Sequence, residues 1–382
     1  MGSSEPKTGS DTTSYHGGGD GLLGLDRAAI DRFCCQYLQL ETPLDYPDGQ
    51  ILKRPDVQEE IFDRMFSGQS HSSKITRFQL RALKELVARI QTSISDDESN
   101  DYEVSDKLMD RLGELMFHPL MPEADEAQQR RLVTYHMSLL QPPAPIYILE
   151  NRSLISAGGT TGLRTWEAGL YFGQYLCVNP HLVAGKRVLE LGTGTGYLSI
   201  LCAKFLDAVH VTASDGAEEV VDNLADNFIL NDLEWDFGSS RKTRLSPKLL
   251  KWGHALVGTE EPEWIGGQKV DLIIGADITY DQKANPSLVS TLSELLELYP
   301  DAEVIVATIQ RNTETLSIFQ DACTRNRLRL EELEFTTREQ EHVLELRGQP
   351  HGPLTPFYST QAPMRIFQVS HSAKKVTDSL SP

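Results

Sequence analysis

The chain has 382 residues and a formal net charge of −19, with 40% hydrophobic and 24% charged residues. This length allows about two domains, and a mean hydropathy of −0.32, without any run of about 18 apolar residues, excludes a transmembrane helix. An acidic chain repels a phosphate backbone on average, which argues against broad nucleic-acid binding.

The first part of the chain is predicted to be a disordered tail followed by a small helical domain at residues 23–141. Residues 1–22 are rich in Gly, Ser, Thr and Asp and hold too few large apolar residues to offset the entropy of ordering. Beyond them, apolar residues recur at intervals of three and four, which is typical of amphipathic helices. Helices are predicted near residues 26–38, 80–90, 108–116 and 127–140, with an acidic, serine-rich linker at 96–106.

The second part, residues 142–372, alternates strand patterns with helical patterns, which indicates βαβ units around a mainly parallel sheet. Strands are predicted at residues 146–149, 154–155, 187–191, 209–214, 270–276, 302–309, 329–335 and 365–369. Helices are predicted at residues 165–176, 197–206, 217–230, 286–298 and 313–326. A polar excursion at 336–363 is expected before the last strand, and residues 373–382 are expected to form a second disordered tail.

A glycine-rich turn at residues 192–196 carries the strongest chemical signal in the sequence. It follows directly on a predicted buried strand and precedes a helix, and Asp215 comes nineteen residues after Gly196. Glycine lets the backbone approach a ligand closely, and a carboxylate at the end of the next strand can accept hydrogen bonds from both hydroxyls of a ribose. The strand, turn, helix and acid together predict a site for a nucleoside cofactor.

The spacing of the glycines favours one cofactor over another. A dinucleotide-binding turn needs a further glycine at the position that Tyr197 occupies here. Glu190, two residues before the turn, would oppose a pyrophosphate, but it could orient an uncharged nucleoside or a cationic ligand. S-adenosylmethionine has a ribose and a sulfonium and no phosphate, so it suits these residues better than a nicotinamide dinucleotide.

These motifs resemble those of class I, seven-β-strand methyltransferases, which have a Rossmann-like α/β fold. Residues 276–280 (Ala-Asp-Ile-Thr-Tyr) resemble the Asp-x-x-Tyr motif of methyltransferase family 16, whose members are largely protein-lysine methyltransferases. Residues 164–168 are similar to that family's Trp-containing segment, and residues 249–252 to its adenine-side loop. The resemblance is greatest to the branch that methylates a lysine of eukaryotic elongation factor 2. It implies a seven-stranded sheet with an antiparallel last strand, beside the smaller helical domain.

The resemblance also implies roles for individual residues. Those expected to contact the cofactor are Glu190, Gly192, Gly194 and Gly196 at its methionine end, Trp166 and Ala276 beside that end, Asp215 at the ribose and Trp252 against the adenine. Asp277 and Tyr280 would be the catalytic residues that border the substrate amine.

The chemistry of lysine methylation agrees with these roles. A free lysine has a pKa of about 10.4, so at pH 7 its ammonium form dominates and has no lone pair for attack. An apolar channel and the positive sulfur of the cofactor both disfavour the ammonium. Asp277 could then accept a hydrogen bond from the neutral amine, and Tyr280 could form the channel wall. Direct in-line transfer of this kind needs no metal and no covalent intermediate.

We therefore expect a cytoplasmic, monomeric, S-adenosylmethionine-dependent protein-lysine N-methyltransferase whose substrate is elongation factor 2, with no membrane or nucleic-acid partner. The helical domain is expected to help recognise the protein substrate. Two alternatives stay open: a methyltransferase for another protein side chain or a small molecule, and a non-catalytic module that keeps the cofactor fold for assembly. A nicotinamide oxidoreductase is disfavoured by the glycine spacing.

Overall fold

A computed structural model describes residues 24–67, 76–97, 101–153, 160–235, 244–257, 264–336 and 353–372. The tails predicted at 1–22 and 373–382, the strand predicted at 154–155 and much of the 336–363 excursion lie outside these residues. None of the helices in the described ranges is both long enough and apolar enough to cross a membrane.

The N-terminal part of the described chain is helical. Its helices are α1 (Gly24–Leu38), α2 (Gly49–Leu52), α3 (Pro55–Met65), α4 (Arg77–Ser95), α5 (Asp106–Phe117) and α6 (Glu123–Ala127). Helix α4 starts at a capping box, in which the Thr76 and Gln79 side chains each accept a hydrogen bond from the other residue's backbone N–H. Apolar faces of these helices enclose a core of their own around Phe33, Leu83 and Leu86.

The helix predicted at residues 127–140 is wrong. This stretch instead contains strand β1 (Arg131–Met137), which pairs antiparallel with β2 (Ala144–Glu150) in a separate two-stranded sheet. Every second residue of β1 is buried from Val133 onward, a period of two that belongs to a strand and not to a helix. The strand predicted at 146–149 lies within β2.

The β1–β2 hairpin also bears on the predicted domain boundary between residues 141 and 142, which falls in its turn. Buried residues of the hairpin, such as Tyr135 and Ile148, belong to the same apolar cluster as the large sheet. The division of the chain at this boundary stays a prediction.

A larger sheet of seven strands forms the rest of the described fold. Its strands are β3 (Arg187–Leu191), β4 (His210–Asp215), β5 (Leu245–Leu249), β6 (Leu272–Ala276), β7 (Glu303–Ile309), β8 (Leu328–Leu333) and β9 (Met364–His371). Their order is β5-β4-β3-β6-β7-β9-β8; the first five are parallel, and β9 is antiparallel to both of its neighbours. The predicted seven-stranded Rossmann-like fold with an antiparallel last strand is confirmed.

Helices cover both faces of this sheet. They are α7 (Glu167–Val178), α8 (Tyr197–Phe205), α9 (Glu218–Leu230), α10 (Asn285–Leu298) and α11 (Thr313–Arg325). Helices α7, α8 and α9 share one apolar cluster with Val188 of β3, whereas α10 and α11 share the other with the next residue, Leu189. Successive residues of a strand point to opposite faces, so the almost continuously apolar strand is buried on both sides.

Strand β5 was not predicted, because a proline hides its pattern. Pro247 lies in its middle and cannot donate a ladder hydrogen bond. The strand is at the edge of the sheet, where proline is tolerated, and it pairs on one side with β4. Strand β5 lies within the long stretch between Asn231 and Trp252. Its C-terminal residue, Leu249, pairs with Asp215 at the carboxyl end of β4.

Candidate active site

A cavity of about 480 Å³ opens at the carboxyl ends of β3, β4 and β6. The strand order reverses between β3 and β6, and the crevice at such a point is where open α/β sheets bind ligands. Eight of the ten predicted site residues line this cavity: Trp166, Gly192, Gly194, Asp215, Trp252, Ala276, Asp277 and Tyr280. Elements distant in sequence therefore meet at one site.

The glycine turn forms one wall of the cavity. Gly192 has a φ of 64° and Gly194 a φ of 51°, in the left-handed region that favours glycine. A Cβ atom built on Gly192 would lie 2.6 Å from Cγ2 of Ile278 and 3.5 Å from Cζ2 of Trp252. The turn therefore depends on glycine at 192 both for its backbone conformation and for the space in front of it.

Gly196 and Glu190 are not among the described residues that line the cavity, and their contact with the cofactor stays a prediction. Gly196 precedes α8, and a Cβ there would lie 2.9 Å from Leu224 in the core. The Glu190 carboxylate is buried behind the turn, where Oε2 accepts a hydrogen bond from Thr193 Oγ1 at 2.8 Å and another from the Ser199 hydroxyl. Burial raises the pKa of Glu190 to about 7. The Glu190 carboxylate therefore supports the turn from behind, whereas Gly196 is the last residue of the turn.

Asp215 lies at the end of β4 and faces the cavity. Its Oδ2 accepts a hydrogen bond from the Gly194 N–H at 3.2 Å, and its Oδ1 accepts one from the Ala217 N–H at 3.1 Å. Burial raises the pKa of this carboxyl, and the backbone hydrogen bonds oppose that increase. A carboxylate oxygen can accept more than one hydrogen bond, so both oxygens retain capacity for ribose hydroxyls.

Trp252 is placed by β5. The Leu250 N–H donates to the Asp215 carbonyl at 2.8 Å, which ties the segment after β5 to the end of β4. The indole of Trp252 then stands beside the space above Gly192. A bare glycine turn, a carboxylate and an aromatic wall fit a phosphate-free adenosine derivative such as S-adenosylmethionine.

Asp277 follows β6 on the opposite side of the cavity. Its φ of 54° is in the left-handed region, which Asp tolerates better than most residues and which is enriched at functional sites. Its Oδ2 accepts a hydrogen bond from Arg311 Nη1 at 3.0 Å. Its Oδ1 is buried, with no hydrogen-bond partner among the described residues. Burial raises the pKa of Asp277, and the charge of Arg311 opposes this.

The rim of the cavity is a chain of polar contacts around Trp166. The Trp166 indole donates to the Thr161 carbonyl at 3.0 Å, and the Thr161 hydroxyl donates to the Tyr280 hydroxyl at 3.0 Å. The guanidinium carbons of Arg164 and Arg311 lie 4.5 Å and 5.3 Å from the centre of the Trp166 ring system. The Trp166 indole, which is predicted to lie beside the methionine end of the cofactor, thus already faces two cations.

Sequence reasoning missed Arg311, which contacts both Asp277 and Glu167. Its position just after the strand predicted at residues 302–309 could have indicated this, because the carboxyl ends of neighbouring parallel strands meet at one edge of the sheet, where Asp277 also lies. The two sides of the cavity differ in chemistry. The side with Asp215 and Trp252 fits a nucleoside, whereas on the other side Asp277 has a buried carboxylate oxygen that could pair with a donor such as an amine.

Comparison with known proteins agrees with this geometry. Residues 152–325 match the family described as lysine methyltransferase. The chain is similar to the protein-lysine N-methyltransferase EFM3 of Chaetomium thermophilum, with 48% identity over 88% of this chain and 96% of that protein. Its identity to EFM3 of Saccharomyces cerevisiae is 31%, over 71% of this chain and 78% of that protein. Its identity to the human protein-lysine N-methyltransferase EEF2KMT is also 31%, over 58% of this chain and 66% of that protein.

Solved structures with a likeness to this chain are more distant. A TehB-like SAM-dependent methyltransferase from Corynebacterium glutamicum is 12% identical, with a TM-score of 0.33 over 52% of this chain and 88% of that one. Magnesium protoporphyrin IX methyltransferase from Synechocystis, solved with bound SAM, is 17% identical, with a TM-score of 0.31 over 53% of this chain and 77% of that one.

Proposed function

Because the chain belongs to the lysine methyltransferase family, we propose that its substrate is a lysine of elongation factor 2. At the coarser level, the chain is a protein-lysine N-methyltransferase, and its methyl donor is S-adenosylmethionine. When bound, this cofactor supplies a methyl group on a positively charged sulfur. The observation that carries the proposed chemistry is the cavity itself, since it joins the nucleoside side at Asp215 to Asp277, whose buried Oδ1 has no hydrogen-bond partner among the described residues.

The choice of elongation factor 2 is supported by the relatives. The human relative is named EEF2KMT, and the fungal relatives named EFM3 are also protein-lysine N-methyltransferases. This agrees with the resemblance of residues 164–168 and 276–280 to the elongation factor 2 branch. The similarity to the Chaetomium thermophilum relative extends over most of the chain, so it includes much of the N-terminal helices as well as the sheet.

On the cofactor side, the proposed contacts follow the lining of the cavity. Asp215 accepts hydrogen bonds from the ribose, and Trp252 covers the adenine. Gly192 and Gly194 leave space along the turn, and Trp166 and Ala276 border the methionine part. Glu190 and Gly196 stay in this proposal as residues of the methionine end, and Glu190 also holds the turn by accepting a hydrogen bond from Thr193.

On the substrate side, Asp277 and Tyr280 receive the lysine. The unpartnered Oδ1 of Asp277 accepts a hydrogen bond from the amine N–H and thereby aims the nitrogen lone pair. Tyr280 is half-exposed and hydrogen-bonded to Thr161, so its ring forms a wall at the entrance. Alignment of this kind contributes up to about 7–11 kcal/mol in well-oriented reactions, so the residues need no covalent step.

The test is direct methylation with radiolabelled S-adenosylmethionine, on purified elongation factor 2 and on a cell lysate, followed by mass spectrometry of the labelled protein. Label on one lysine of elongation factor 2 supports the proposal. A lysate in which a different protein is labelled, while pure elongation factor 2 is not, contradicts the substrate assignment. Binding of cofactor without any labelling favours the non-catalytic module.

We also propose that the enzyme acts as a monomer in the cytoplasm, with a protein as its partner. Light scattering on the purified chain should give one species near 42.7 kDa. Fluorescence microscopy of the tagged chain in cells should show it outside the nucleus and membranes. A stable dimer or a nuclear signal would contradict the respective statement.

A further inference from the structure

We propose that Arg311 is a positioning residue that makes Asp277 half of an electrically neutral ion pair, so that the site accepts the substrate lysine as a free amine. The inference rests on the role proposed for Asp277. Arg311 follows β7 by two residues and lines the cavity. Its Nη1 lies 3.0 Å from Asp277 Oδ2, and its Nη2 lies 2.8 Å from Glu167 Oε2.

The charge of Asp277 presents a chemical difficulty that Arg311 resolves. A carboxylate by itself stabilises an ammonium and raises its pKa, but the protonated amine has no lone pair to attack a methyl group. A guanidinium on the other carboxylate oxygen offsets that negative charge. Oδ1 of Asp277 can then accept a hydrogen bond from the neutral amine. Because the ion pair has no net charge, it does not stabilise the protonated ammonium form of the lysine.

Arg311 is fixed in place more firmly than an ordinary surface arginine. Its guanidinium bridges two carboxylates and lies beside the Trp166 ring. Glu167 begins α7, and its other oxygen accepts a hydrogen bond from Arg164 at 3.3 Å. Helix α7 and strands β6 and β7 together determine where the positive charge lies.

The positive and negative charges around Asp277, on the substrate side of the cavity, balance. Two guanidinium groups, Arg164 and Arg311, face two carboxylates, Glu167 and Asp277. The other titratable residues that line the cavity are Asp215, Lys251 and Tyr280. Removing the charge of Arg311 therefore leaves one excess negative charge beside the position of the lysine.

A rival interpretation gives Arg311 the opposite effect. The guanidinium could occupy the place of the substrate ammonium between Asp277 and Glu167, so that the substrate must displace it. Loss of Arg311 would then raise activity at neutral pH. The proposed role predicts lower activity at neutral pH, and the direction of the change separates the two.

The experiment measures kcat at saturating substrate from about pH 6 to about pH 10, because kcat then reports ionisation in the enzyme–substrate complex. The substrate is whichever purified protein the wild-type enzyme labels, so failure of elongation factor 2 as substrate leaves this comparison intact. Arg311→Gln should lower kcat about tenfold at pH 7 and move the rising limb up by about one pH unit. It should approach the wild-type value at the alkaline end. Arg311→Lys, which keeps the charge, should restore the wild-type midpoint.

Arg329→Gln provides a matched control, because Arg329 is an exposed arginine on β8 and should leave the profile unchanged. Circular dichroism and calorimetric S-adenosylmethionine binding check that each variant is folded. If Arg311→Gln does not fold, Arg311→Met keeps a long side chain against Trp166 and gives the same comparison. A loss by one factor at every pH, or a gain at pH 7, would overturn the proposal.

Discussion

Asp277 unites three properties in one residue: a left-handed backbone, near-complete burial and a carboxylate oxygen without a partner among the described residues. Each has a cost to stability, because strained backbone and unsatisfied buried acceptors are both unfavourable. Residues that keep such features are commonly functional. The geometry at this residue therefore supports the catalytic role proposed for it.

Asp277→Asn should isolate that role. Asn also tolerates the left-handed region and has nearly the same size, so the variant causes little strain. Its one oxygen pairs with Arg311, so an NH₂ donor replaces the Oδ1 acceptor that faces the amine. We expect kcat to fall by about a hundredfold or more, whereas the Kd for S-adenosylmethionine changes less than about threefold. Steady-state kinetics and calorimetry measure the two quantities. Asp277→Ala should abolish transfer as well, at the further cost of about 1 kcal/mol of strain, and equal loss of cofactor binding and transfer would sink the assigned role.

Glu190 gives a pH-dependent prediction. Its pKa is 4.5 in the ordinary state and about 7 in the fold, so the folded protein keeps a proton that the unfolded chain has lost between these pH values. The contribution of Glu190 to the free energy of unfolding is therefore fully present below about pH 4.5 and is lost as the pH rises through about 7. This change in the free energy of unfolding corresponds to ~3 kcal/mol. Glu190→Gln cannot ionise and should escape this loss.

Urea unfolding at about pH 5 and about pH 8 measures this effect. The free energy of unfolding should decrease more for the wild type than for Glu190→Gln over this interval. Parallel decreases in both proteins would mean that Glu190 is already ionised in the fold at pH 5.

At the scale of elements, the glycine turn between β3 and α8 is the part of the site that sequence spacing describes best. Its left-handed glycines and the contact above Gly192 explain why larger residues are unsuitable there. The loop after β5 brings Trp252 beside the space above Gly192, so the turn and the edge strand act together.

A comparison of Gly192→Ala with Gly185→Ala should separate the cost of the left-handed backbone from the cost of filling the space in front of Gly192. Gly185 has a φ of 74° and no atom within 4 Å of a built Cβ, so alanine there adds only backbone strain of about 1 kcal/mol. Alanine at 192 adds overpacking against Ile278, for a total of about 3 kcal/mol, and should weaken cofactor binding at least tenfold. Thermal unfolding and calorimetry test both, and equal effects of the two variants would exclude a special role for position 192.

At the scale of the whole molecule, Gln39 connects the N-terminal helices to the segment before β9. Its buried side chain donates to the Phe357 carbonyl and accepts from the Phe357 N–H at 2.9 Å. Its own carbonyl accepts a hydrogen bond from Arg152, which also contacts Glu41 at 3.0 Å. We therefore expect the helices and the sheet to unfold together.

Gln39→Ala should weaken this coupling. Loss of the amide leaves the part-buried backbone groups of Phe357 unpaired, at a cost of about 2 kcal/mol. In the wild type, S-adenosylmethionine at about a hundred times its Kd should add ~2.7 kcal/mol to a single transition. In Gln39→Ala, scanning calorimetry should resolve two transitions, only one of which responds to the cofactor. Gln91→Ala, on an exposed position of α4, should behave as the wild type, and a single unshifted transition for Gln39→Ala would contradict the coupling.

The sequence alone determined the α/β architecture, the glycine turn and the cofactor class, because strand periodicity and glycine spacing are local and survive without tertiary context. It missed β5, where Pro247 interrupts the pattern at an edge, and it assigned a helix to β1, whose strand depends on pairing with β2. Only the tertiary structure placed Glu190 behind the turn and Arg311 against Asp277. These contacts join residues far apart in the chain or depend on which way a side chain faces, and no local pattern encodes that.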